Sequence, residues 1–186
     1  MITPRAKTGF DKLFPLSVKE SLRSEAYPEW NIQPIELKTI AATRFIMLTI
    51  SSFDFRLIVL LHFSDNKPSM TYVADSLKIS VEELSASRYH DYLSETGNIL
   101  CGAIKRWLLQ YFPHLGLSSP NQLVWESLKF VEKFPIDHAI HLKALAEGGP
   151  VFFSSLYIYS AGNLDFDPIS ISEAKEEVEM GALELF

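Results

Sequence analysis

From about Arg88 to Phe112 the sequence keeps one helical period, and Pro113 ends it, because proline lacks an N–H and its ring crowds the preceding turn. At ~100° per residue, Glu95, Asn98, Gly102 and Lys105 fall within roughly 40° of the direction of Asp91. Leu93, Leu100, Ile104, Trp107 and Tyr111 fall on the opposite side. A helix divided this way needs a second layer over its apolar stripe, since most helix stability in proteins comes from such packing.

The flanking sequence offers that layer as a sheet. "IELKTI", "RFIMLTIS" and "FRLIVLLHF" are rich in β-branched and aromatic residues, with "SSFD" as a turn between the last two and "SDNKP" as a closing loop. Three further strand-like runs follow the helix: "QLVWESLKFVEKF", "DHAIHLKALAE" and "VFFSSLYIYS", with Gly148-Gly149-Pro150 as a turn. Before the sheet, Phe10, Leu13, Phe14, Val18 and Leu22 recur at helical spacing around Pro15, which breaks the helix or sits near its start, and Tyr27 to Trp30 reads as a loop. "SMTYVADSLK" reads as a short helix, and Ser80 with Glu83 forms a capping-box pattern. The order is helix, three strands, helices, three strands. The expectation is an α/β (α+β) two-layer fold: an antiparallel sheet, long helices packed on one side, and two halves alike in layout but slight in shared residues. It is read as a single domain over 1–186, closing in an acidic tail or helix at 161–186.

Composition narrows the functional classes. With 23 acidic against 17 basic residues and a net charge of −6, and no Lys/Arg-rich run, binding driven by phosphate neutralisation on nucleic acid is not expected. The most apolar stretch, Leu57 to Leu61, is far too short to span a bilayer, no apolar run follows the basic N-terminus, and the one cysteine, Cys101, forms no disulfide within the chain. These features predict a cytoplasmic protein without membrane insertion. His138 and His141, three apart on a strand, point to opposite faces and make a poor metal pair. Cys101 reads as a packing residue, and Asp165 with Asp167 is only a fragment of a calcium-loop pattern. Trp30, if exposed, is a candidate interface residue. No phosphate-binding glycine loop, dinucleotide fingerprint or zinc-protease helix motif occurs.

The polar stripe therefore carries the functional argument. Glycine inside a helix costs about 1 kcal/mol relative to alanine, so Gly97 and Gly102 need reasons. Gly97, nearer the buried side, suits close helix–sheet packing. Gly102, on the polar stripe, would admit a partner backbone. Glu95 and Asn98 are surface neighbours one turn apart, an anion beside a group that both donates and accepts hydrogen bonds.

"DYLSETGNILCGAIK" resembles the signature helix of the CheC/CheX/FliY family of chemotaxis phosphatases. That pattern runs Asp or Ser, Glu, Asn and then, about 22 residues later, Pro. Asp91, Glu95 and Asn98 stand at the required spacing, and Pro120 follows Asn98 after about 21 residues, one short. "ETGN…G" is close to the "ELGN…G" form of the CheX branch. The resemblance covers roughly residues 35–160, and no second Glu-x-x-Asn occurs in the N-terminal helix, so it is to a one-site, CheX-type member. It implies a phosphatase acting on the aspartyl phosphate of a CheY-like response regulator. Asn98 would orient the attacking water and Glu95 would pair with the regulator's lysine, with Asp91, Gly102 and Lys105 as partner contacts. The Mg²⁺ would be the regulator's, so no cofactor or metal of its own is expected. The resemblance also implies a homodimer joined through β-strands. A non-catalytic module of the same fold, docking regulators or flagellar-switch parts, is the alternative, and an enzyme acting on small phosphate esters ranks last for want of a cationic or metal site.

Overall fold

The computed structural model describes residues 1–167 apart from Glu132. "RFIMLTIS" and "FRLIVLLHF" become β2 (Arg44–Ser51) and β3 (Phe55–Phe63), an antiparallel hairpin in which Leu48 faces Val59. A second hairpin joins β6 (His138–Ala146) to β7 (Val151–Ser160), and its turn places Gly148 at φ +64°, a conformation suited to glycine. β3 and β7 pair antiparallel along almost their whole length, from Phe55 opposite Ser160 to His62 opposite Phe153.

Among the described residues the sheet has seven strands. β1 (Trp30–Pro34) pairs with β6, while β4 (Gly116–Leu117) and β5 (Asn121–Val124) share the outer edge of β2. The order is β1-β6-β7-β3-β2, then β4 and β5, with every pairing antiparallel. Exchanging β1 with β5, β2 with β6 and β3 with β7 returns the same order read backwards. The duplication suggested by the sequence layout is thus present in the topology, with β3 and β7 at its centre.

The helices α1 (Pro4–Leu22), α2 (Lys67–Leu77) and α3 (Ala86–Leu108) lie over one face. Leu57, Val59 and Leu61 from β3 and Leu142, Leu156 and Ile158 from the second hairpin point into that layer. The other face carries Phe45, Ile58, Leu60 and Tyr157, covered by Leu128 and Val131 of the one-turn helix α4 (Leu128–Val131). Burial of these side chains supplies roughly 25 cal/mol per Å² of apolar surface removed from water.

Several expectations need correction. Pro15 neither breaks the N-terminal helix nor sits near its start: α1 runs for 19 residues through Pro15. Proline forgoes one main-chain bond there, and complete burial of Leu13, Phe14 and Val18 holds the turn. "IELKTI" is not a strand. The edge strand lies earlier, opening at Trp30, and Leu37–Thr39 is a 3₁₀ turn. In "QLVWESLKFVEKF" only the start is extended, while "WESLKFV" is a 3₁₀ turn and α4, because it caps the outer sheet face instead of joining it. α3 begins at Ala86 and ends at Leu108, short of Phe112. Trp30 is buried and donates its indole N–H to the Tyr27 carbonyl at 3.2 Å, so it offers no exposed interface. The Ser80–Glu83 capping box is present, on a 3₁₀ turn.

The packed body is wider than the 35–160 stretch, since the core extends from Ile2 to Phe166. Leu164 bridges Ile2, Phe166 is buried against Phe10, and Asp165 accepts hydrogen bonds from Thr3 and Arg5. Residues 161–167 of the expected tail are therefore tied to α1, and the rest of the acidic tail or helix lies outside the described residues.

Candidate functional site: the outer stripe of α3

α3 is 23 residues long and opens on Ser85, whose hydroxyl accepts from the N–H of Arg88 at 3.3 Å. Such a cap satisfies one of the four orphan N–H groups of a helix start. Leu93, Leu100, Ile104 and Leu108 form its buried stripe, and Trp107 and Tyr111 are half-buried against the same core. Cys101 is fully buried, and burial pushes its thiol up to about 12, so it packs and is not a nucleophile. Gly97 faces β2. A Cβ there would stand 2.8 Å from Leu48 Cδ1 and 3.2 Å from Ile46 Cγ2, so the glycine sets how closely the helix approaches the sheet.

The outer stripe holds the residues singled out from sequence. Glu95 is exposed and Asn98 half-buried; Asn98 Nδ2 donates to Glu95 Oε2 at 3.0 Å. The pair lies side by side as the periodicity predicted, although Asn98 sits deeper than full exposure. Asp91 is exposed and accepts from the Ser87 hydroxyl at 3.2 Å, a bond within its own helix. Gly102 and Lys105 continue the stripe, both partly exposed. Around Gly102 the body of the protein leaves room: the nearest atom to a Cβ built there is Nη1 of Arg106, at 3.9 Å.

Charge is ordered along this stripe. Asp91 and Glu95 stand at its N-terminal end and Lys105 and Arg106 in the last turn, with the neutral Asn98 between them. Chemically, the stripe can meet a cation at Glu95, hold a water or a polar group at Asn98, and meet an anion at its far end. Among the described residues no three His, Cys, Asp or Glu side chains gather as a metal-holding group. His138 and His141 point to opposite sides of β6, one to Asp11 of α1 at 2.8 Å and the other to Ser155 at 2.9 Å. Asp165 pairs with Arg5 and Thr3, which hold its carboxyl below the usual carboxylate range. No described helix is long and apolar enough to cross a membrane.

No family model matches the sequence, and no curated protein matches it. Solved structures do match. A CheC-like superfamily protein from Shewanella sp. PV-4 superposes with a TM-score of 0.63 at 12% identity, over 82% of this chain and 98% of that one. The fold is that of the CheC-like chemotaxis proteins. CheX of Borrelia burgdorferi, solved as a complex with CheY, BeF3 and Mg²⁺, gives 0.59 at 13% identity, over 81% of this chain and 96% of that one. CheX of Vibrio vulnificus gives 0.61 at 14% identity, over 81% and 96%.

In this CheC-like fold the structure adds residues that sequence reasoning passed over. Ile99 and Leu109 are 43% and 42% exposed, which supplies apolar contact beside the polar stripe. Leu109 follows Asp91 by 18 residues, five full turns, so its outward direction was legible in the spacing. Gln122 of β5 donates to the His90 carbonyl and the Ser94 hydroxyl, both at 3.3 Å, tying the outer edge strand to α3. That contact spans the sheet edge and left no periodic signal.

Proposed function

We propose that this chain is a phosphatase that removes the aspartyl phosphate of a CheY-like response regulator. The observation that carries the reading is the Glu95–Asn98 pair, hydrogen-bonded at 3.0 Å on the outer stripe of a helix whose other stripe is packed on the sheet. The spacing of Asp91, Glu95 and Asn98 and the CheC-like fold support it, as does a CheX of this fold crystallised with CheY, BeF3 and Mg²⁺.

In this reading Asn98 enters the regulator's acidic site and its carboxamide holds a water in line with the phosphorus. Positioning and charge neutralisation then supply most of the catalysis, as in other phosphoryl transfers. Glu95 leaves Asn98 to pair with the regulator's lysine, so docking separates the two side chains and frees the carboxamide for water. Asp91, Gly102 and Lys105 contact the regulator around this point. The regulator supplies its own Mg²⁺ and lysine, and no general base on this chain is needed. The working unit is a cytoplasmic homodimer joined through β-strands.

The deciding experiment mixes the protein with CheY-type receiver domains phosphorylated by acetyl phosphate and follows loss of phosphate. Wild type accelerates the decay and Asn98→Ala does not. Equal decay with wild type and Asn98→Ala sinks the catalytic reading.

A second reading is a docking module without turnover. It is favoured by the half-buried setting of Asn98, one of whose two N–H donors is taken by Glu95. Binding of the receiver domain without faster phosphate loss would select it.

A further inference from the structure

We infer that Arg106 is the specificity-determining residue of this docking stripe, held by Glu20 until a carboxylate on the partner regulator replaces that residue. The inference rests on the docking reading above. It starts from the glycine that the fold does not explain. Gly97 is accounted for by Leu48 and Ile46 beneath it, but a Cβ at Gly102 would meet only Arg106, in ordinary contact at 3.9 Å. Helical side chains lean toward the N-terminus, so Arg106 lies back across the turn above its own Cα. Its guanidinium passes beside Gly102, with Nη1 3.9 Å from a Cβ built there, and reaches Glu20 on α1.

The consequence is a cation about one turn, roughly 6 Å along the axis, from Asn98. Both Arg106 and Glu20 are largely exposed, so the pair adds little to stability, and its loss costs the fold little. Arginine carries five N–H donors in a planar fork suited to a carboxylate. The pair therefore keeps the fork pre-set over Gly102, with exchange of one carboxylate for another as its switch. Together with Glu95 it makes the stripe bipolar. A regulator presenting its lysine to Glu95 must present an acid near Arg106, which sets docking direction and selects among regulators by charge.

The test uses the full chain with a CheY-type receiver domain, phosphorylated by acetyl phosphate for turnover and loaded with BeF3 for equilibrium binding. Arg106→Gln is expected to raise KM and Kd by about 10-fold with kcat within two-fold of wild type. Glu20→Gln releases the fork and lowers Kd by about two- to five-fold. The exchanged double variant, Glu20→Arg with Arg106→Glu, restores an ion pair but moves the cation onto α1; a structural role predicts rescue, the docking role predicts binding as weak as Arg106→Gln. Rescue by the exchange, or an unchanged Kd in Arg106→Gln, overturns the inference. Wild type that binds BeF3-loaded regulator without turnover overturns the phosphatase reading alone, whereas wild type that does not bind overturns both.

Discussion

Asn98 Nδ2 lies 3.0 Å from Glu95 Oε2, one helical turn away on the face of α3 turned from the sheet. In the proposed function the carboxylate assigned to a partner's cation thus also holds the carboxamide assigned to a water. The two roles can be separated. Glu95→Gln keeps an acceptor for Asn98 and loses the charge. It is expected to raise KM for phosphorylated regulator by roughly 5- to 30-fold, the scale of one interfacial ion pair, and to leave the urea midpoint unchanged. Steady-state phosphate release at varied regulator concentration reads this. A fall in kcat with KM constant would place Glu95 in the chemistry instead of the docking.

The two glycines of α3 should respond oppositely to alanine. At Gly97 the new methyl would press on Leu48 at 2.8 Å, so Gly97→Ala is expected to destabilise by about 1–3 kcal/mol, as overpacking does. At Gly102 there is room, and Gly102→Ala should stabilise by up to about 1 kcal/mol through helix propensity. Urea unfolding followed by circular dichroism measures both. If Gly102→Ala is stabilised yet binds regulator less well, the glycine serves a partner's approach; stabilised with unchanged binding, it does not.

Acid should weaken the fold through the outer sheet face. Ser155 Oγ lies 2.8 Å from His62 Nε2 and 2.9 Å from His141 Nδ1, with His62 fully buried between Phe45 and Trp125. Burial, with His141 nearby, pushes His62 down to about 3, and burial lowers His141 as well. His62 is held neutral when folded, so below the ordinary value of 6.5 the unfolded chain binds more protons there, and the lowering of His141 acts in the same direction. For His62 stability is present above that pH and is lost as pH falls toward 3, by at most about 1.4 kcal/mol per pH unit. Urea midpoints at pH 7, 6 and 5 should fall in order, and His62→Leu should flatten the slope whatever it does to the midpoint. A slope unaltered by His62→Leu removes that residue from the account.

The segment after β7 should matter to stability. Phe166 is 4% exposed, stacks edge-on to Phe10 at 5.1 Å, and covers Gly9, where a Cβ would meet its ring at 2.5 Å. Phe166→Ala is expected to cost about 3 kcal/mol, the scale of a phenyl lost from a core. Thermal or urea unfolding checks it. A loss below about 0.5 kcal/mol, the range of ordinary surface changes, would mean this segment adds nothing to the body.

Much of the sheet was legible because its central strands are long and apolar, as in "FRLIVLLHF" and "VFFSSLYIYS". The errors fell where local pattern and packing disagree. "IELKTI" has strand-forming residues but lies beyond the edge strand, and "WESLKFV" has a strand-like composition yet folds as turns over the outer face. Pro15 reads as a breaker, but burial of its neighbours outweighs the one main-chain bond it forgoes.

By itself the sequence determined the two stripes of α3, since a period of 3.6 residues sends Leu93, Leu100 and Ile104 one way and Asp91, Glu95 and Asn98 the other. It also determined the layout of two similar halves. Only the tertiary structure decided what the stripes and their flank meet: Leu48 under Gly97 and Glu20 at the end of Arg106. Those contacts join residues 49 and 86 positions apart along the chain, and no local period carries information across such separations.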